Sequence, residues 1–236
     1  MNYLKPRAIF ENAYKNLNED ISFKTDVPLI EIGGLTLLEN SILVVLIKLI
    51  KANYIFEFGT YFGSTTKLLA ENSNNNSKIY SLDFNPDNCH LKITEDDIKK
   101  KRYLKNGKIN DEYLTFLYKK RGPFKINAQK KIRKKIKLIN TDSKDLDLKK
   151  FNLYNKFDLI FIDGGHDYFT IKSDTEKSLL MKKKSSLIVW HDYNSKIHTS
   201  VTKYLDLFST KKKLYHIKNT MLVFAAFGKY SKIKFS

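Results

Sequence analysis

Residues 157–194 contain two polar clusters at the ends of two apolar strands, and this arrangement restricts the fold more than any other feature of the chain. The segment has the pattern of a strand, a helix and a second strand. Asp163–His166 (DGGH) follows the first strand, and His191–Tyr193 (HDY) follows the second. A parallel βαβ unit is right-handed and brings both strand ends to one edge of the sheet. Because ligands bind at that edge in open α/β sheets, the two clusters are predicted to share one site.

The remaining chain extends this unit into a larger sheet. Hydrophobic patterning predicts strands at 54–58, 78–82, 136–140, 157–162, 186–190, 213–217 and 221–227. Helices separate the first five strands, and a very short link joins the last two as an antiparallel hairpin. The predicted fold is therefore α/β: a Rossmann-like, doubly wound, seven-stranded sheet, mostly parallel, with one antiparallel strand near the C-terminus. A single domain over 1–236 is predicted, with an N-terminal helical segment at 1–34.

Residues 84–135 interrupt the alternation of strands and helices and are predicted to be an insertion, either a lid over the substrate or a disordered excursion. The net charge of +18 is concentrated in this region, since residues 99–137 hold 16 Lys and Arg against only Asp111 and Glu112. Such a segment suits nucleic acid, an acidic membrane surface or an acidic substrate. Of the 43 basic residues in the whole chain, 39 are lysines, whereas arginine is preferred for bidentate phosphate recognition. A solvated lysine-rich surface is therefore favoured over a nucleic-acid groove.

Other sequence features restrict the class of protein. Cys89 is the single cysteine, so an internal disulfide is excluded, and no zinc-type spacing occurs. The first 20 residues lack the apolar core of a signal peptide. The longest apolar run, 42–50, is shorter than the ~20 residues of a membrane span. A cytoplasmic protein without a transmembrane segment is expected.

A glycine-containing loop, Glu57–Gly63 (EFGTYFG), follows the first predicted strand. Its glycines allow a tight turn and close approach of a ligand. The dinucleotide motif GxGxxG is absent, and Glu57 would repel a pyrophosphate, so a nicotinamide dehydrogenase is the least favoured enzyme. Asp83 ends the second strand, where a carboxylate can accept hydrogen bonds from ribose. Asp142 and Ser143 end the third strand and are placed to meet a purine.

Together these motifs resemble the class I S-adenosylmethionine-dependent methyltransferases. EFGTYFGSTT is similar to the first motif of that superfamily, IYSLD to the second and NTDS to the third. FDLIFIDGGHDY followed by LIVWHDYN resembles the branch of macrocin-type sugar O-methyltransferases and, more distantly, catechol O-methyltransferases. The resemblance covers residues 35–228 apart from the insertion.

The resemblance implies that S-adenosylmethionine binds along the strand ends. Glu57 would lie near the methionine ammonium, Asp83 would hold the ribose, and Asp142 with Ser143 the adenine. The implied cofactor-binding set is Glu57, Gly59, Thr60, Tyr61, Gly63, Ser64, Asp83, Asp142, Ser143 and Asp163.

The resemblance also implies catalytic roles. His166 would be the general base, with Asp163 beside it as a second catalytic residue. In metal-dependent relatives, the positions matching Asp163, His191 and Asp192 hold Mg²⁺, which would lower the pKa of the acceptor hydroxyl. A histidine at 191 departs from the usual acidic pair. Because Mg²⁺ prefers oxygen ligands, this departure shifts the expectation toward Mn²⁺ or a metal-free site.

The leading prediction is O-methylation of a hydroxyl on a small molecule such as a sugar or glycosylated metabolite. One alternative is a nucleic-acid methyltransferase that uses the lysine-rich segment, although the Asn/Asp-Pro-Pro-aromatic motif of amino-group methylation is absent. Another is a non-catalytic basic binding module built on residues 99–137. His90, His198 and His216 are expected to lie outside the site. The oligomeric state stays open, with a homo-oligomer among the alternatives.

Overall fold

The computed structural model describes residues 1–26, 32–121 and 130–233. The strands are β1 Asn2–Leu4, β2 Tyr54–Phe58, β3 Lys78–Asp83, β4 Ile136–Asn140, β5 Phe157–Ile162, β6 Lys182–Trp190, β7 Tyr215–Ile217 and β8 Val223–Phe227. The helices are α1 Pro6–Leu17, α2 Leu37–Leu49, α3 Ser64–Asn72, α4 Glu95–Lys99, α5 Gly107–Arg121, α6 Lys130–Arg133, α7 Tyr168–Met181 and α8 Thr199–Ser209.

One sheet holds all of these strands, in the order β1-β7-β8-β6-β5-β2-β3-β4. β8 runs antiparallel to both of its neighbours, β6 and β7, and the other pairs are parallel. This confirms the predicted mostly parallel sheet with one reversed strand. The count of seven was wrong, because β1 adds an eighth strand beside β7. A strand of three residues is too short to show a period-two pattern in the sequence.

The sheet is buried on both faces, which explains the unbroken apolar runs of its central strands. Along β5, Leu159 and Phe161 pack into a core with the apolar helix α2, while Ile160 and Ile162 face a second core with α7 and α8. Each of these four side chains is at most 2% exposed. The rigid centre of the sheet therefore fixes where β5 and β6 end, and their ends hold the polar clusters.

The described part of the insertion is largely helical, with α5 as its longest element. Residues 122–129 of the insertion and Pro28 of the N-terminal segment lie outside the described residues. Within the described ranges, no helix combines the length and apolar character needed to cross a membrane.

Candidate active site

The loop from β2 to α3 passes directly against the end of β5. Gly59 has a φ of +92°, and a Cβ at this position would lie 2.1 Å from the carbonyl oxygen of Asp163. Only glycine tolerates both the backbone conformation and this contact. Gly63 ends the loop at the N-cap of α3. The glycine-containing loop and Asp163 are thus fixed side by side, as the shared sheet edge predicted.

Glu57 is wholly buried beneath this loop. Its Oε2 accepts hydrogen bonds from the Ser81 hydroxyl at 2.5 Å and from the Thr66 hydroxyl, and its Oε1 has no hydrogen-bond partner among the described residues. Burial raises the pKa of Glu57 to about 8, and a cation bound beside the carboxyl would favour its ionised form. In this arrangement Glu57 joins β2, β3 and α3, and Oε1 is its remaining acceptor.

The other residues of the loop are held by β3. The backbone N–H groups of Tyr61 and Phe84 donate to the two carboxylate oxygens of Asp83, at 2.5 Å and 2.9 Å. Burial raises the pKa of Asp83 to about 6. The Thr60 hydroxyl lies 2.6 Å from that of Ser81, while Ser64 begins α3 and is exposed.

Asp142 and Ser143 lie at the end of β4, at the far side of the same sheet edge. Asp142 Oδ1 accepts a hydrogen bond from the backbone N–H of Lys144 at 2.8 Å and so begins a short helical turn. Lys177 of α7 donates to the carbonyl of Ser143 and secures the turn. Every sequence-predicted cofactor residue therefore lies along the edge formed by β5, β2, β3 and β4.

The two polar clusters of the βαβ unit meet as predicted. Asp163 Oδ1 lies 3.1 Å from His191 Nδ1, and that nitrogen lies 3.3 Å from Asp192 Oδ2. The same Asp192 oxygen lies 3.0 Å from His166 Nε2. A chain of contacts thus runs from Asp163, beside the glycine-containing loop, to His166. We call these four residues the histidine–carboxylate cluster.

Two residues that sequence reasoning did not assign to the site contact His166. Asp111 of α5 places Oδ1 2.6 Å from His166 Nδ1. His198, just before α8, stacks on the His166 ring with centroids 3.7 Å apart and an interplanar angle of 24°. The expectation that His198 lies outside the site was therefore wrong, because the loop before α8 folds back over the end of β5. His90 is exposed, and His216 Nε2 lies 2.9 Å from the Thr220 carbonyl oxygen.

Glu39 was also missed. It is 1% exposed, and its Oε1 lies 3.5 Å from His191 Nε2. Its Oε2 accepts from the backbone and hydroxyl of Thr36 in a capping box, and Oε1 accepts from the Met221 N–H at 2.8 Å. The sequence Thr36-x-x-Glu39 signals the cap. No local signal indicates the contact with His191, since that contact depends on how α2 packs against the sheet.

Within the histidine–carboxylate cluster, neighbouring carboxylates shift the pKa of both histidines, and the histidines shift the pKa of Asp192. Burial alone would lower the pKa of both His166 and His191, but neighbouring carboxylates outweigh burial and hold each pKa well above 6.5. Asp192 and Asp111 act on His166, and Asp163 and Asp192 act on His191. Burial opposes ionisation of Asp192, yet the two histidines hold its pKa well below its usual value. These contacts favour the protonated form of both rings, and an ion bound at His191 would replace the proton of the coordinating nitrogen.

The cluster offers one set of donors that fits a divalent ion. Ligand atoms of Asp163, His191 and Asp192 lie within 4.8 Å of one another. One imidazole nitrogen with two carboxylates suits Mn²⁺ better than Mg²⁺. Atoms of Asp111, His166 and His198 are equally close, but imidazole nitrogens bind metals in the ring plane. Two nearly parallel stacked rings cannot both direct a nitrogen at one ion, so this second set is a poorer match.

Helix α5 covers the glycine-containing loop as well as His166. Tyr118 places its ring centroid 5.9 Å from that of Tyr61, 6.2 Å from that of Phe62 and 6.3 Å from that of Phe84. The Arg121 guanidinium lies 4.3 Å from the centre of the Phe62 ring. One face of this helix therefore forms a wall of the site, even though the surrounding segment is dominated by lysines.

Comparison with known proteins agrees with this architecture. The profile of the family described as "Methyltransferase domain" matches residues 56–193. No curated protein sequence matches the chain.

Solved structures with the same fold include three methyltransferases. The SAH-bound methyltransferase PaMTH1 of Podospora anserina has a TM-score of 0.52 at 13% identity, over 97% of this chain and 91% of that one. A provisionally named O-methyltransferase of Klebsiella pneumoniae has a TM-score of 0.52 at 14% identity, over 94% and 88%. A provisionally named caffeoyl-CoA O-methyltransferase of Staphylococcus aureus has a TM-score of 0.52 at 15% identity, over 94% and 92%.

At these identities the structural likeness concerns the fold, which is the Rossmann-like methyltransferase fold. The family profile covers more than half of the chain, from β2 to the residue after Asp192. It thus spans the glycine-containing loop and the entire histidine–carboxylate cluster. The chain therefore belongs to the methyltransferase domain family.

Proposed function

We propose that this chain is an S-adenosylmethionine-dependent O-methyltransferase that modifies a hydroxyl group of a small molecule, such as a sugar. The observation that carries the proposal is the contact between the glycine-containing loop and the end of β5. Gly59 lies against the Asp163 carbonyl, and Asp163 leads through His191 and Asp192 to His166. A short series of contacts thus links the glycine-containing loop, the proposed cofactor site, to His166, the proposed proton acceptor.

In this proposal S-adenosylmethionine lies along the sheet edge. The methionine end meets Gly59 and Gly63, and Glu57 Oε1 is the acceptor left for its ammonium group. Asp83 faces the ribose, and the turn at Asp142 faces the adenine. PaMTH1, which has the same fold, was solved with S-adenosylhomocysteine bound, and this supports the same class of ligand here.

The chemistry then follows from the positions of the side chains. S-adenosylmethionine supplies an electrophilic methyl group on a sulfonium. His166 accepts the hydroxyl proton at Nε2 while the acceptor oxygen attacks that methyl group. This nitrogen now contacts Asp192 at 3.0 Å, so His166 becomes a base only when the contact opens and the ring loses its proton. Holding the hydroxyl and the methyl in line supplies much of the rate enhancement.

Asp163, His191 and Asp192 would hold a divalent ion of the Mn²⁺ type, which would act as a Lewis acid toward the acceptor oxygen. The same ion would neutralise Asp192 and so weaken its hold on His166. Metal dependence is therefore part of the proposal.

Titration calorimetry with S-adenosylmethionine and S-adenosylhomocysteine tests whether the chain binds the proposed cofactor. We expect dissociation constants in the micromolar range. Formation of S-adenosylhomocysteine with a panel of hydroxylated sugars tests the reaction. His166→Gln should leave cofactor affinity nearly unchanged and lower turnover about 10²–10⁴-fold, the range for loss of a general base. His90→Gln, at an exposed histidine, is the matched control and should retain activity. Absence of cofactor binding by the unmodified chain would overturn the proposal.

A further inference from the structure

We infer that Asp111, on helix α5 of the lysine-rich insertion, is a positioning residue for His166. The insertion would then be part of the catalytic apparatus and not only a basic surface. The catalytic consequence rests on the proposed function. The structural half, that Asp111 fixes the orientation of the His166 ring, is independent of it.

The geometry at the His166 ring carries the inference. Asp111 Oδ1 lies 2.6 Å from Nδ1, a shorter distance than the 3.0 Å between Asp192 Oδ2 and Nε2. A carboxylate at Nδ1 accepts a hydrogen bond from the N–H of that nitrogen and so selects the tautomer whose lone pair is on Nε2. Nε2 is directed toward Asp192 and the end of β6, where the acceptor hydroxyl is proposed to bind. The His198 ring, stacked on one face of the His166 ring, packs against it from a second direction.

Helix α5 is held at both ends, so the position of Asp111 is well defined. At its N-terminus, a Cβ at Gly107 would lie 2.5 Å from the carbonyl oxygen of Ile197, and this close approach docks the helix on the loop before α8. Near its C-terminus, Tyr118 packs on Tyr61 and Phe62 of the glycine-containing loop. Asp111 therefore lies on a helix that contacts both the loop before α8 and the glycine-containing loop.

Charge also distinguishes Asp111. Residues 99–137 contain 16 basic residues and only two acids, and one of those acids faces His166. The other, Glu112, accepts a hydrogen bond from the Lys92 N–H at 3.0 Å within the insertion. Glu112 thus offers a matched control: it is the adjacent acid, on the same helix, with the same charge.

The proposed step balances without any change at Asp111. The acceptor O–H gives its proton to His166 Nε2, the C–O bond forms, and the C–S bond breaks with its electron pair left on sulfur. The products are the methyl ether, S-adenosylhomocysteine and an imidazolium that later releases its proton to solvent. Asp111 keeps its contact with Nδ1 and stabilises that imidazolium by accepting a hydrogen bond from Nδ1–H.

Steady-state kinetics test the catalytic half. Asp111→Ala should lower kcat by about 10²–10⁴-fold, as expected when the base is misaligned, with KM for the acceptor and Kd for S-adenosylmethionine changed less than threefold. Asp111→Glu should recover part of the activity because it restores a carboxylate. Glu112→Gln should stay within twofold of the unmodified chain. Unchanged kcat in Asp111→Ala, or an effect on KM alone, would overturn the inference.

A second readout does not depend on turnover. Long-range ¹H–¹⁵N spectra of the imidazole rings, assigned with His166→Gln, report whether His166 Nδ1 carries a hydrogen-bonded proton. The Nδ1 signal should be present in the unmodified chain and in Glu112→Gln, and altered in Asp111→Ala. If the unmodified chain fails to bind cofactor but shows this pattern, the proposed function fails and the positioning contact stands. An unaltered signal in Asp111→Ala would refute the contact itself.

Discussion

Replacing Gly59 by alanine tests the idea that the glycine-containing loop and the end of β5 form one rigid unit. Two glycines make a matched pair, since Gly59 and Gly33 have similar positive φ values, +92° and +85°. They differ in the space available. A Cβ at Gly33 would first meet Leu114 Cδ2 at 3.3 Å, whereas one at Gly59 would lie 2.1 Å from the Asp163 oxygen and 2.7 Å from its carbonyl carbon.

These contacts set the expected losses of stability. Left-handed backbone conformation costs an L-residue roughly 1–2 kcal/mol, which both variants incur. Forcing an extra carbon into packed, inflexible surroundings adds about 1–3 kcal/mol, which applies only at Gly59. We therefore expect about 1–2 kcal/mol for Gly33→Ala and, with both terms, about 2–5 kcal/mol for Gly59→Ala.

Calorimetry and urea denaturation measure this difference. A chain of 236 residues should lose roughly 2 °C of Tm per kcal/mol, so we expect falls of about 2–4 °C for Gly33→Ala and about 4–10 °C for Gly59→Ala. Urea midpoints should fall without a change in slope. Gly59→Ala should also weaken S-adenosylmethionine binding, since Asp163 must move. Equal losses in the two variants would refute the reasoning, because the contact with Asp163 would then contribute nothing.

Three further predictions concern other parts of the molecule. Tyr118→Ala should weaken S-adenosylmethionine binding and speed hydrogen exchange along α5, whereas Tyr113→Ala, which instead removes a stack on Tyr103, should leave cofactor affinity unchanged. Burial raises the pKa of the fully buried Asp174 from 3.8 to about 7, so the folded chain retains a proton that the unfolded chain releases, and stability should fall as pH rises through this window. Asp174→Asn should match the unmodified chain near pH 4 and exceed it near pH 8, by at most on the order of 4 kcal/mol in urea denaturation; an unchanged pH profile would contradict this. Chelation should lower turnover, and Mn²⁺ should restore it better than Mg²⁺, because one donor is a nitrogen; equal recovery would count against the donor set.

The parts of the fold that could be predicted are those encoded by local pattern. β2, β4 and β5 match their predicted bounds, since continuous apolar runs end in polar residues where the strands end. The meeting of Asp163 with His191 follows from the handedness of one βαβ unit, which requires no knowledge of the rest of the chain.

The parts of the site that were missed depend on packing between distant elements. Asp111 lies in a segment whose composition suggests only a charged surface, and its approach to His166 requires α5 to dock on the loop before α8. Glu39 resembles an ordinary capping residue of an apolar helix. The one usable signal was the rarity of acids between residues 99 and 137, which makes Asp111 and its neighbour Glu112 exceptions in that segment.

The position of β1 has a consequence for how the chain is made. β1 pairs with β7, so Asn2 finds its partner at Tyr215, more than 200 residues later. During synthesis β1 must therefore wait until β7 has left the ribosome, while the central strands can already associate. Until Asn2–Leu4 binds, the outer backbone of β7 stays available to strands of other nascent chains. This edge strand is synthesised before the strands described after it and is among the last of them to be placed.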